Sequence, residues 1–138
     1  MQSSSRRPPR TAAQQTGDAT EGLVADRLRR AGWMVLARNV RVGRGELDIV
    51  AVDPGPPAEL VVIEVRWRRS RAFGLAEESL DHRKRAHLRT AIARLREDGL
   101  PDGRALPRLP IRVDLVVAEA PARGGDSPRI RHHRAIAL

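Results

Sequence analysis

Two aliphatic runs, GELDIVAVD at residues 45–53 and ELVVIEVRWR at 59–68, constrain this chain more than any other feature. Both are rich enough in Val, Ile and Leu to be strands, and the break between them, DPGPPAE, is short and full of Pro and Gly. A connection of that kind makes the two runs antiparallel neighbours. A third extended segment precedes them at residues 33–41, IRVDLVVAEA supplies another from residue 111, and residues 129–138 offer a short final strand. Leu80, Leu88, Ala91, Ile92 and Leu95 recur at helical spacing and predict a helix over residues 77–98. A helix there lets the chain return parallel to the strand it left. An amphipathic helix opens the domain, with Val24, Leu28 and Ala31 on one stripe, Asp18 and Glu21 at capping-box spacing, and Gly32 as its stop. The expected order is helix-strand-strand-strand-helix-strand, an α/β fold whose mixed central sheet is flanked by helices.

A length of 138 residues suits one domain, read as 17–138, behind a basic tail at 1–16 whose sequence MQSSSRRPPRTAAQQT has no apolar periodicity and is expected to be disordered. Aromatics are 2% of the chain, so the core must be aliphatic. The lack of cysteine excludes disulfides, thiolate zinc sites and cysteine nucleophiles. No apolar stretch approaches membrane-spanning length and no apolar leader follows the first arginines, so the expectation is a cytoplasmic protein without a membrane partner. A formal charge of +9 with pI ≈ 11.6 calls for an anionic partner, of which nucleic acid, and DNA in particular, is the leading candidate. Lys84 is the only lysine among 26 basic residues.

Each of the two aliphatic runs carries a carboxylate out of step with its neighbours. By alternation Glu46, Asp48 and Val50 share one face of their strand and Leu47, Ile49 and Ala51 the other; Val62, Glu64 and Arg66 lie opposite Val61, Ile63, Val65 and Trp67. In adjacent antiparallel strands Asp48 and Glu64 fall on one sheet face. Two carboxylates that converge repel unless a cation sits between them. A hard, oxygen-ligated Mg2+ or Mn2+ meets that demand, and so does an internal ion pair with Arg66 or another arginine. Lys84 lies on the helical stripe between Leu80 and Leu88, where it either reaches the carboxylates or snorkels to the edge. Arg68, Arg69 and Arg71, just past the third strand, and Arg83 and Arg85 beside Lys84 are candidate contacts to a nucleic-acid backbone.

Weaker features read as structural. Asp114, which interrupts IRVDLVV, is expected in a salt bridge; adjacent His132 and His133 point to opposite faces and are expected on the surface; VGRG at 42–45 reads as a hairpin turn, and Trp67 as packing rather than base stacking.

The blocks GLVADRLRRAGWMVLARNVR, GELDIVAVD and VVIEVRWR, in that order, resemble the YraN-like family of expected endonucleases. Its pattern runs approximately A-x-x-x-L-x-x-x-G-[aromatic]-x-[apolar]-x-x-R-N-x-R, then GE[IL]D[IL][IV]A, then a strand ending VEVK-x-R. The resemblance covers residues 17–120 and implies a restriction-endonuclease-like fold. It implies that Asp48 and Glu64 bind metal, that Glu21 is an accessory acid, and that Arg66 stands where the family usually has lysine. Arginine, with its very high pKa, can stabilise developing phosphoryl charge but is a poor base. The sequence therefore supports a metal-dependent endonuclease that hydrolyses DNA phosphodiester bonds, for which cutting both strands calls for a homodimer. The alternative is a catalytically weak or inactive nucleic-acid-binding module on the same fold. A third is an assembly protein whose basic surface meets an acidic partner.

Overall fold

The aliphatic runs become the middle of a sheet, because strands apolar on both sides must be covered on both faces. The computed structural model describes residues 8–9, 11–68, 80–121 and 123–138. Its elements are α1 (Ala12–Arg30), β1 (Met34–Val42), β2 (Gly45–Asp53), β3 (Glu59–Arg68), α2 (His82–Asp98), β4 (Ile111–Glu119) and β5 (Arg129–His133). The five strands lie side by side in chain order. β3 and β4 run parallel, joined through α2, and the other neighbours are antiparallel. This mixed α/β architecture is consistent with a restriction-endonuclease-like fold.

Each helix covers one face. Val24, Ala25 and Leu28 of α1 pack on Ile49, Ala51, Val61, Ile63 and Val116. Leu88, Ala91, Ile92 and Leu95 of α2 pack on Leu47, Val50, Leu60, Val62 and Val113. Every fully buried Val, Leu or Ile contributes about 1.5–3 kcal/mol, so β2 and β3 anchor both layers. The Gly32 stop is as expected: with φ at 91° it lets the Trp33 amide donate back to the Leu28 carbonyl at 3.0 Å, closing the helix C-terminus.

Alternation along β2 fails at one place. Leu47 belongs to the α2-side core whereas Ile49 and Ala51 belong to the α1-side core, so the three do not share a face as alternation predicts. The slip falls at Asp48. Across the ladder, Arg38 pairs with Ile49 and Val40 with Leu47, which sets Asn39 opposite Asp48, and Asn39 has φ at 51°, in the left-handed region that asparagine tolerates.

Both helix starts differ from expectation. α1 begins at Ala12, inside the stretch expected to be disordered, so Asp18 and Glu21 are interior helical residues and form no capping box. Residues 1–7 and 10 of that tail lie outside the described residues. α2 begins at His82 because the Asp81 side chain caps it, accepting the Lys84 amide at 2.8 Å; residues 77–79, expected to be helical, lie outside the described residues. Among the described residues no helix is long and apolar enough to cross a membrane.

Candidate metal centre

Three carboxylates from two elements converge where β2 slips. Glu21 projects from α1, Glu46 stands at the start of β2, and Asp48 marks the slip; one oxygen from each lies within 4.8 Å of the others. Glu21 is buried, Asp48 half-buried and Glu46 exposed. The left-handed turn at Asn39 brings its side chain over the group. Oriented as the hydrogen bonding demands, its amide nitrogen donates to Glu21 Oε2 at 2.5 Å and Glu46 Oε1 at 3.1 Å. Asp48 Oδ2 accepts the Val65 amide at 2.8 Å, which pins it to β3. Burial, then the Asp48 charge and the hydrogen bond shared with it, push Glu21 up to about 7, and Arg38 offsets only part of that.

Glu64 is 3% exposed. Its Oε1 receives two cations, Lys84 Nζ at 3.2 Å and Arg66 Nη2 at 3.3 Å. Its Oε2 is buried without a partner among the described residues, a state that costs about 1–3 kcal/mol. Burial and the Asp48 charge push Glu64 up to about 7 against the pull of Lys84 and Arg66. Asp48 thus interacts with both Glu21 and Glu64, although the three-oxygen group holds Glu46 rather than Glu64.

The other expected residues divide. Lys84 takes the reaching alternative: its side chain is 32% exposed, yet its ammonium group meets Glu64. Arg83 is exposed. Arg85, expected to face phosphate, donates through Nε to the Leu80 carbonyl at 2.9 Å and through Nη1 to the Ala137 carbonyl at 2.7 Å, tying α2 to the C-terminal segment. Arg68 is half-buried and engaged, and Arg69 and Arg71 lie outside the described residues. Trp67, expected to pack, is 39% exposed, and Val65, Arg66 and Arg68 around it are only half-buried. Residues 42–45 form the expected hairpin turn, with Val42 paired to Gly45.

Glu46 and Asn39 are the site residues that the sequence reading did not single out. Signals for both were present: Glu46 shares the face of Asp48 by alternation, and Asn39 is the asparagine of R-N-x-R.

A second ionic cluster forms on other strands. Asp114, fully buried, accepts Arg112 Nε and Nη2 at 2.9 Å each, His132 Nε2 at 2.7 Å and the Ala135 amide at 2.9 Å. Burial would raise its pKa, but the His132 and Arg112 hydrogen bonds and the Ala135 amide outweigh it and lower Asp114 to about 2. Arg112 also meets Asp53 and Glu59, both at 3.1 Å, and lies 5.5 Å from the Trp33 ring centre. Asp114 is therefore in the expected salt bridge. His132, expected on the surface, is half-buried instead, because it bonds Asp114 and lies 5.6 Å from the Trp33 ring.

Residues 20–118 match the model of the family described as Uncharacterised protein family UPF0102. A UPF0102 protein of Roseiflexus castenholzii is 44% identical over 101 residues, 72% of this chain and 75% of its own length. One from Xanthomonas campestris is 43% identical over 107 residues, 78% of this chain and 82% of its own. A third, from Renibacterium salmoninarum, is 36% identical over 121 residues, 87% of this chain and 93% of its own.

Proposed function

The chain belongs to the UPF0102 family, and we propose that its acidic centre binds a divalent cation and hydrolyses phosphodiester bonds in DNA. The observation that carries this reading is the buried Oε2 of Glu64, without a partner among the described residues, beside a group of three carboxylate oxygens that repel one another. An all-oxygen donor set of that kind fits Mg2+ or Mn2+. When bound, such an ion supplies an acidified water and neutralises charge at a phosphoryl oxygen.

The side chains divide the remaining work. Asp48 and Glu64 are the ligands, with Glu21 as accessory acid and Glu46 completing the group around Asp48. Asn39 holds Glu21 and Glu46 in register through its two hydrogen bonds. Lys84 and Arg66 stand on one oxygen of Glu64 and present positive charge to a scissile phosphate; Lys84 supplies from α2 the amine that the family pattern places on β3. The same pair favours a second reading. Two cations on Glu64 neutralise it without a metal, as in a nucleic-acid-binding module with an inactive centre.

One experiment separates the readings: nicking of duplex, forked, four-way and single-stranded DNA with Mg2+ or Mn2+, for wild type, Asp48→Asn, Glu64→Gln and Lys84→Ala. The nuclease reading expects both carboxylate variants to lose cleavage by on the order of 10³-fold while DNA binding persists, and Lys84→Ala to lose a part of it. Binding without cleavage by wild type on every substrate, while a control nuclease cuts them, overturns that reading in favour of the binding module.

A further inference from the structure

The acid centre is open on its β1–β2 side. Glu64 and Glu21 are buried, whereas Glu46 and Asn39 are exposed, so among the described residues a ligand can reach the carboxylates from there. β1 is an edge strand of the sheet, and its left-handed residue sorts its side chains unusually. Ala37, Val40 and Val42 all pack with the α2-side core. Arg38, Asn39 and Arg41 are left on the α1 face: Arg38 Nη2 donates to the Asp18 carbonyl of α1 at 3.1 Å, and Arg41 pairs across the ladder with Glu46 and so shares its face. In a regular strand, positions three apart would point to opposite faces.

The edge is also hollow. A groove of about 260 Å3 runs along it, bordered by Ala37, Arg38, Asn39, Val40 and Arg41 of β1 and by Leu100, Pro101 and Asp102, so its floor is largely apolar and its charge lies at the rim. Asn39 borders this groove, while its side chain bonds two carboxylates of the centre, so it stands between the strand edge and the acids. Arg44, exposed in the β1–β2 turn, extends the basic rim toward the start of β2. Arg38 and Arg41 lie about 10 Å apart along the strand, the rise of about three nucleotides in one strand of a duplex. A phosphate backbone approaching three carboxylates is repelled, and these guanidinium groups offset that repulsion on the side where Glu46 and Asn39 are exposed.

We propose that one nucleic-acid strand lies along the β1 edge, its phosphates held by Arg38, Arg41 and Arg44, and reaches the acid centre past Asn39. This rests on the nuclease reading above and names its substrate path. The basic face of α2, with exposed Arg83 and Arg89, is the competing path.

The test is fluorescence anisotropy of labelled duplex and single-stranded DNA titrated with the full chain in Ca2+ over a salt series. Wild type is compared with Arg41→Ala/Arg44→Ala and with Arg83→Ala/Arg89→Ala, which remove equal charge from the two surfaces. The β1-side pair is expected to weaken binding at least about ten-fold and to lower the log–log salt slope by about 2, and the α2 pair to change affinity less than about three-fold. Arg41→Gln/Arg44→Gln, which keeps polar side chains on the rim, serves as a second variant against a folding defect and is expected to show the same loss. Equal losses from the two surfaces, or a larger loss from α2, overturn the proposed path while leaving the nuclease reading standing. Failure of wild type to bind any DNA at low salt overturns both.

Discussion

Asp114 and Glu64 are nearly equally buried acids on adjacent strands, yet the surroundings of one lower its pKa to about 2 and those of the other push it up to about 7. Burial acts upward on both. Asp114 has both oxygens filled by Arg112, His132 and the Ala135 amide, and these donors outweigh the desolvation. Glu64 has two cations crowded on one oxygen, no partner on the other among the described residues, and Asp48 beside it. The donors around each acid, together with the Asp48 charge beside Glu64, therefore decide the sign of the shift and separate the two regions. The Arg112 cluster ties together the β2–β3 turn, where Asp53 pairs with Glu59, and the segment following β5. The acid centre, at the other end of that hairpin, is left with unmet demand for positive charge.

The comparison breaks most sharply on stability. Asp114→Ala leaves Arg112 buried with its main partner gone, and urea unfolding is expected to show a loss of about 3–5 kcal/mol; Asp48→Asn, at the acid centre, is expected to lose far less. A loss of under about 1 kcal/mol for Asp114→Ala would mean that the Arg112 cluster is not the structural one.

A smaller effect concerns pH. The folded Asp114 pKa lies below its ordinary 3.8, so its contribution is fully present above about 4 and is lost as pH falls through about 2. The expected loss is about 2 kcal/mol, read as a steeper acid limb of stability against pH than in Asp114→Asn. Parallel limbs in the two proteins would contradict the depressed value.

The smallest effect sharpens the other side. Glu21→Gln removes one charge from a group that repels itself, so the metal-free protein is expected to gain about 1 kcal/mol, measured as a higher Tm. If the acid centre binds metal as proposed, Mn2+ is expected to raise the Tm of wild type and to leave that of the variant nearly unchanged. A destabilised variant would place Glu21 in a supporting role like that of Asp114.

Much of this was legible in the chain. The Val, Ile and Leu runs specified β2, β3 and β4, and the short Pro/Gly break made β2 and β3 antiparallel. Asp48, Glu64 and Lys84 stood out because a charge on an apolar face or stripe is conspicuous in sequence, whereas Glu21 entered through the family resemblance. Glu46 and Asn39 did not: one sits at an exposed strand start and the other on an edge strand, where polar residues are ordinary. Helix starts were misjudged for a related reason. The capping signal at Asp18 is local, and α1 passed through it to start at Ala12; the true cap, Asp81, looked like one more residue of a charged helix.

The sequence by itself determined which segments are apolar enough to be buried, and hence the strands, the helix stripes and the acids stranded among them, since burial preference is written residue by residue. Only the tertiary structure decided which acids meet. That pairing depends on a left-handed Asn39 opposite Asp48, which breaks the alternation of β1 and β2 and turns both strands' polar side chains toward Glu21. A single φ angle in a context of several packed strands is not encoded at one position, because asparagine tolerates that region without requiring it.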